Sequence, residues 1–226
     1  MRASPPRCDS KCEPSPPRCV VWGGRALTPA TKEYNVLMIG LSDRLIIPDG
    51  IEYPRFYSPL AETSASTGGC LPHWEQTGKT VFVTFRLADS IPREKLLHWQ
   101  ENEIEEKEKW LDAGHGECVL RDLDNQDAVK RTLRYGDGKI YRLYGFVIMP
   151  NHVHVVFMPL GENKICDIVK AWKSVSSRSI GKNLGRRGRI WQEEYFDRYI
   201  RNDDHFEYVM RYVLKNDPQR AWLVCQ

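Results

Sequence analysis

Three runs of this chain are rich in apolar, β-branched and aromatic residues and bounded by turn residues, and each run predicts a strand. Thr80–Leu87 (Thr-Val-Phe-Val-Thr-Phe-Arg-Leu) is β-branched and aromatic, with Gly78 before it and Asp89-Ser90 after it. Lys139–Met149 and His152–Met158 are the other two, separated by the turn dipeptide Pro150-Asn151. Elsewhere the apolar spacing is helical. Pro92, followed by Glu94, Leu96, Leu97 and Trp99, opens a predicted helix towards Leu111, and Asp124–Tyr135 predicts a second that stops at Gly136-Asp137-Gly138. Asp167–Leu184 carries Ile168, Val169, Trp172 and Val175 at helical intervals. Ile190–Ile200 reads as extended, and Asp204–Lys215 as a last helix, with Asp204 as N-cap and Glu207 three residues on as in a capping box. The order strand, helix, helix, strand, strand, helix, strand, helix predicts an α+β fold, a small, largely antiparallel sheet with helices packed on it.

Before Leu71 the pattern is weaker. Residues 1–19 are rich in Pro, Ser and Arg, and Val20–Gly69 mixes short apolar pieces with turn residues. We therefore expect residues 1–69 to be an N-terminal extension, partly disordered, ahead of one domain over 70–226. Prolines 5, 6, 14, 16 and 17 interrupt any apolar leader segment, and the longest apolar runs are far short of the roughly 18 residues that cross a bilayer. Neither a signal peptide nor a spanning helix is expected, which points to a cytoplasmic protein. Seven scattered cysteines, an odd number, argue for thiols over a disulfide framework. Cys8, Cys12 and Cys19 lack paired CxxC spacing and a nearby fourth ligand, so a Pro/Cys-rich tail is preferred to a zinc site.

Charge changes the picture locally. The total of 226 residues, with 33 Lys+Arg and 30 Asp+Glu, carries only +3. That sum averages an acidic stretch, Glu101–Asp112 with six acidic residues and two lysines, against seven basic residues and no acid between Lys170 and Arg189. The acidic stretch reads as a solvated helical face. Lys170, Lys173, Arg178, Lys182, Arg186, Arg187 and Arg189, with Trp172 and Trp191 at the margins, resemble a phosphate-tracking strip with aromatic surfaces for unstacked bases. A solvated helix face followed by a basic loop fits the same residues.

The candidate chemistry begins at Met149-Pro150-Asn151-His152-Val153-His154. On a strand His152 and His154 project to one face and Val153, Val155 and Phe157 to the other, so two imidazoles make half a metal site; alone, such a pair also fits ordinary core or surface histidines. On the last helix Phe206, Val209, Met210, Val213 and Leu214 form an apolar stripe. Tyr212 flanks that stripe with Asn216 one turn later, while Tyr208 lies nearly opposite it and is the second choice. A boundary tyrosine with its hydroxyl in water remains the alternative.

Taken together these residues resemble the REP-associated tyrosine transposases, bacterial relatives of the single-tyrosine HUH transposases. The similarity runs through Leu71-Pro72-His73-Trp74-Glu75, Val81–Leu87, Ser90-Ile91-Pro92, Met149–His154, Ile190-Trp191-Gln192, Tyr195-Phe196-Asp197, Ile200-Arg201 and Tyr212-Val213-Leu214 with Asn216, in order over 71–226. The resemblance implies a ferredoxin-like HUH domain and a bacterial, cytoplasmic enzyme acting at the nucleoid as monomer or homodimer. It implies a metal-dependent single-stranded DNA endonuclease and strand transferase working on REP-type hairpins through a 5′-phosphotyrosine. Tyr212 would be the nucleophile, and His152, His154 and Asn216 the ligands of Mg²⁺ or Mn²⁺. The expected DNA contacts are Lys170, Lys173, Arg178, Arg186, Arg187 and Arg189. One departure is that Asp217 stands between Asn216 and Pro218, where the family has Asn followed by Pro, so Asp217 is the alternative third ligand. A non-cleaving hairpin-binding regulator and a zinc phosphoesterase built on His152 and His154 are the competing readings.

Overall fold

In the computed structural model, which describes residues 47, 50–61, 63–66, 73–92, 94–95, 104–216 and 221–223, these apolar runs form a sheet with two buried faces. The strands β1 (Ser64–Ser66) and β2 (His73–Glu75) pair as a short antiparallel ribbon. After β3 (Val81–Arg86) come helix α1 (Ile104–Asp112), a 3₁₀ turn at Val119–Arg121 and helix α2 (Leu123–Tyr135). The hairpin β4 (Tyr141–Ile148) and β5 (His152–Pro159) leads to α3 (Ile165–Asn183), β6 (Phe196–Tyr199), α4 (Asp203–Asn216) and β7 (Ala221–Leu223). The main sheet runs β6-β3-β5-β4-β7, antiparallel throughout. Without β7, its four strands β3, β4, β5 and β6 are ordered last, first, third, second, the ferredoxin-like arrangement.

Period-two alternation sorts the side chains. Val81, Val83 and Phe85 of β3 and Val153, Val155 and Phe157 of β5 face α2 and α3, joining Leu133, Ile168, Val169, Trp172 and Ile180 in one cluster. Phe82 and Val156 face the other way, against Phe206, Val209, Met210 and Val213 of α4. Each of those four helix residues contributes roughly 1.5–3 kcal/mol by burial, enough to hold α4 across the sheet. Between Leu143 and Gly145 a bulge resets β4, so that Tyr141 and Leu143 before it share a face with Phe146 and Ile148 after it.

Local signals explain the helix ends, with one correction. Asp122 caps α2 by accepting from the N–H groups of Asp124 and Asn125. The cap of α4 is Asn202, whose Oδ1 accepts from the His205 N–H at 2.8 Å, and not Asp204; Glu207 instead bonds Arg211 one turn on. Of the predicted extended run 190–200, only Phe196–Tyr199 forms a strand, after an isolated bridge between Leu87 and Trp191. The helix expected from Pro92 is helical at 94–95 and from Ile104; residues 96–103 lie outside the described residues.

The expected extension is not separate along its last part. Ile47, Ile51 and Phe56 pack on the α4-side cluster, the Tyr57 N–H donates to the Ile200 carbonyl, and Tyr53 bonds Asp203 at the start of α4. Residues 50–61 thus belong to the same hydrophobic unit, while 1–46, with Cys8, Cys12 and Cys19, lie outside the described residues. No described helix is long and apolar enough to cross a membrane.

Candidate functional site

β5 is the middle strand of the sheet, and its first residues carry the histidines. His152 and His154 point to the α4 side, fully buried, with His154 stacked on Phe82 at 5.2 Å between ring centroids. Their Nε2 atoms lie 3.0 Å apart. Burial brings His152 down to about 3 and holds His154 well below its usual range, the neighbouring imidazole adding to the effect. Both rings are therefore neutral at pH 7, as metal ligands must be.

The outer nitrogens fix which way the rings donate. Asn151 gives its amide N–H to the His115 carbonyl at 3.0 Å, leaving its Oδ1 to accept from His152 Nδ1–H at 2.8 Å. With the proton on Nδ1, His152 Nε2 presents a lone pair. His154 Nδ1 meets the Thr84 hydroxyl at 2.7 Å, a group that donates or accepts as the ring requires. The His115 carbonyl is held by a tight loop: a Cβ at Gly116 (φ +91°) would come within 2.8 Å of the Asp89 carbonyl oxygen, and the Glu117 N–H donates to Asp89 Oδ2.

From α4, Tyr212 brings its hydroxyl to 3.5 Å from His154 Nε2, its ring edge-on to both His154 and Phe82. Tyr208 is 68% exposed and turned away, so the structure brings Tyr212 to the histidines and not Tyr208. Asn216 ends the same helix and Asp217 lies outside the described residues.

Two further side chains reach this site without having been singled out in the sequence. Asp112, the last residue of α1, sets Oδ1 3.7 Å from His152 Nε2, and ligand atoms of Asp112, His152 and His154 all lie within 4.8 Å of one another. Because His152 is neutral this contact is not an ion pair, and burial raises the Asp112 carboxyl. Arg86 is directly opposite His152 in the sheet, on the same face. Burial lowers its guanidinium to about 10, so it stays charged at neutral pH, and it donates to Ser90 Oγ at 3.3 Å. Among the described residues no carboxylate comes within ion-pair distance of it.

The basic strip read along the sequence is divided by the fold. Lys170 and Arg178 are exposed on α3, whose buried side packs on the face away from the histidines, so the sheet stands between them and the site. Lys173 turns inward and donates to the carbonyls of Gln192, Glu193 and Glu194 at 3.2, 2.9 and 3.0 Å, with burial lowering it to about 8. Arg186, Arg187 and Arg189 instead line a polar pocket with Asp89 and Glu117, beside the Leu87 N–H that bonds the Asn151 carbonyl. There Arg186 forks onto Glu117, one bond at 2.9 Å, and Arg189 reaches Glu193 at 3.4 Å. The two tryptophans are not base-stacking surfaces. Trp172 and Trp191 are core residues, 3% and 4% exposed, packed with Phe85 and bonded through Tyr141 and Ser176.

Comparison with known proteins bears on the segment that carries this geometry. Residues 120–216 match the family described as Transposase IS200 like. No curated protein matches the chain. Among solved structures, a REP-associated tyrosine transposase bound to a REP hairpin is 20% identical over 62% of this chain and 67% of that one, with a TM-score of 0.38. A candidate transposase from Deinococcus radiodurans R1 is 16% identical over 62% of this chain and 90% of that one, with a TM-score of 0.31. The family match covers His152, His154, Tyr212 and Asn216, and so agrees with the resemblance read from the motifs.

Proposed function

We propose that this relative of the IS200-like transposases is an enzyme that cuts and rejoins single-stranded DNA, with Tyr212 as the nucleophile. The observation that carries the reading is the meeting of three groups from two elements: the Tyr212 hydroxyl 3.5 Å from His154 Nε2, and the two Nε2 atoms 3.0 Å apart. His152 and His154 would hold Mg²⁺ or Mn²⁺, with Asn216 as a further ligand from α4. The fit rests on the neutral imidazoles and on the Asn151 and Thr84 contacts that aim their nitrogens inward. A divalent ion bound there supplies Lewis-acid polarisation of a phosphodiester oxygen.

The chain's own groups supply the rest. A tyrosine hydroxyl, with an ordinary pKa near 10, is a weak nucleophile, so its placement matters most. Tyr212 Oη attacks phosphorus and gives up its proton. The bond from phosphorus to the 3′-oxygen breaks, that oxygen leaves as a hydroxyl, and the 5′-phosphate stays on the tyrosine. The phosphotyrosine keeps the energy of the broken bond, so a second 3′-hydroxyl can reverse the step and join strands without ATP. Arg86 offers its guanidinium to a non-bridging phosphate oxygen, where charge accumulates. Arg187 and Arg189, beside the strand end that carries His152, take the DNA backbone entering the site, and Lys170 and Arg178 serve DNA that wraps the α3 side. Lys173, engaged with three carbonyls, is left out of this set.

The motif resemblance makes a REP-type hairpin the substrate to try. The test is to incubate the protein with a labelled single-stranded hairpin and Mn²⁺ and to look for a protein–DNA adduct that survives denaturant. An adduct is expected with the native chain and none with Tyr212→Phe, while DNA binding persists. Cleavage without adduct would favour a phosphoesterase; binding without cleavage, a regulator; loss of the adduct in Tyr208→Phe would refute the assignment of Tyr212.

A further inference from the structure

We infer that Asp112 is an additional protein ligand, so that a carboxylate contributed from α1 joins the two imidazoles and Asn216 in holding the cation. This rests on the reading above that the histidine pair binds a divalent ion. In six-coordinate sites with bonds of about 2.1 Å, adjacent donor atoms lie about 3 Å apart and opposite ones a little over 4 Å. The two Nε2 atoms, 3.0 Å apart, are spaced as adjacent donors, and Asp112 Oδ1 at 3.7 Å from His152 Nε2 falls between the two values. The Asp112 side chain is 39% exposed, which leaves its carboxylate room to turn towards the histidines.

Two features of Asp112 point independently to a missing positive charge. It occupies the last position of α1, where the helix dipole presents its negative end and a carboxylate is disfavoured by roughly 0.3–1 kcal/mol. Among the described residues no lysine or arginine lies within ion-pair distance of it. A divalent cation between Asp112 and the histidines offsets both costs. It also gives the site a hard anionic donor, the ligand type that suits Mg²⁺ and Mn²⁺ better than two nitrogens alone.

The test is Mn²⁺ titration of the full chain by calorimetry, with the rise in melting temperature on adding Mn²⁺ measured for each variant against its own metal-free form. Asp112→Asn is expected to bind Mn²⁺ at least about tenfold more weakly. Its metal-free melting temperature should be unchanged or slightly raised, since a disfavoured charge is gone, and Asp112→Glu should recover part of the affinity. Should Asp112→Asn bind Mn²⁺ like the native chain while His152→Ala loses it, the ligand role of Asp112 is refuted and the histidine site stands. Unchanged binding in His152→Ala as well would refute the histidine site and this inference with it.

Discussion

The burial of His152 predicts a loss of stability in weak acid that can be worked out and measured. In the unfolded chain this imidazole takes a proton near pH 6.5, whereas in the metal-free fold burial delays protonation to about pH 3. Between those values the unfolded state binds more protons than the folded one, so stability falls as pH falls from 6.5 and the loss levels off below 3. At pH 5 the proton taken up by the unfolded state amounts to about 2 kcal/mol for this residue. In a chain of this size that corresponds to roughly 4–8 °C in melting temperature. His154, held low by the same burial, adds a loss of the same sign. The assay is a series of thermal melts of chelator-treated protein from pH 8 to pH 5, comparing the native chain with His152→Gln, which cannot titrate. The variant should start less stable and lose less, so that the two curves converge by about 2 kcal/mol. Parallel curves over that range, or a His152 ring proton titrating near 6.5 by NMR, would refute the argument.

Two other predictions address residues that the linear sequence grouped together. Arg187→Ala with Arg189→Ala should weaken hairpin binding and reduce its salt dependence by about two charges, whereas Lys173→Ala should leave that slope unchanged; binding measured between about 50 and 200 mM salt separates the cases. Trp191→Ala should cost roughly 3–5 kcal/mol of folding stability, read from denaturant melts, because the residue fills the core against Phe85; a surface role in stacking bases would leave stability nearly untouched.

What could be read from the sequence was whatever a period fixes. Alternation alone placed His152 and His154 on one face of a strand, and the helical angle placed Tyr212 on the flank of its stripe, where its hydroxyl reaches His154. Neither period says which side of the sheet an element packs on. For that reason the run from Lys170 to Arg189 looked continuous, although α3 turns its exposed charges away from the histidines and the loop after it turns back towards them. Asp112 was hidden for a related reason. It closes a helix so rich in acidic residues that solvation was the natural reading, and only tertiary placement distinguishes it from its neighbours. The tryptophans misled in the opposite direction, since an aromatic beside arginines fits a base-stacking platform as well as a core, and burial decides between them.

The path of α4 gives the site a mechanical character. The strand before it, β6, pairs with β3 on one side of the sheet, and the strand after it, β7, pairs with β4 on the other. The helix carrying Tyr212 is therefore a strap drawn across the whole sheet and tied down at both edges, with Tyr53 bonding Asp203 at one end. A strand of DNA joined to Tyr212 would pull on that strap, and the load would pass to two ladders of hydrogen bonds instead of to one free helix end. Histidines and tyrosine from a single chain would stay in register under that tension.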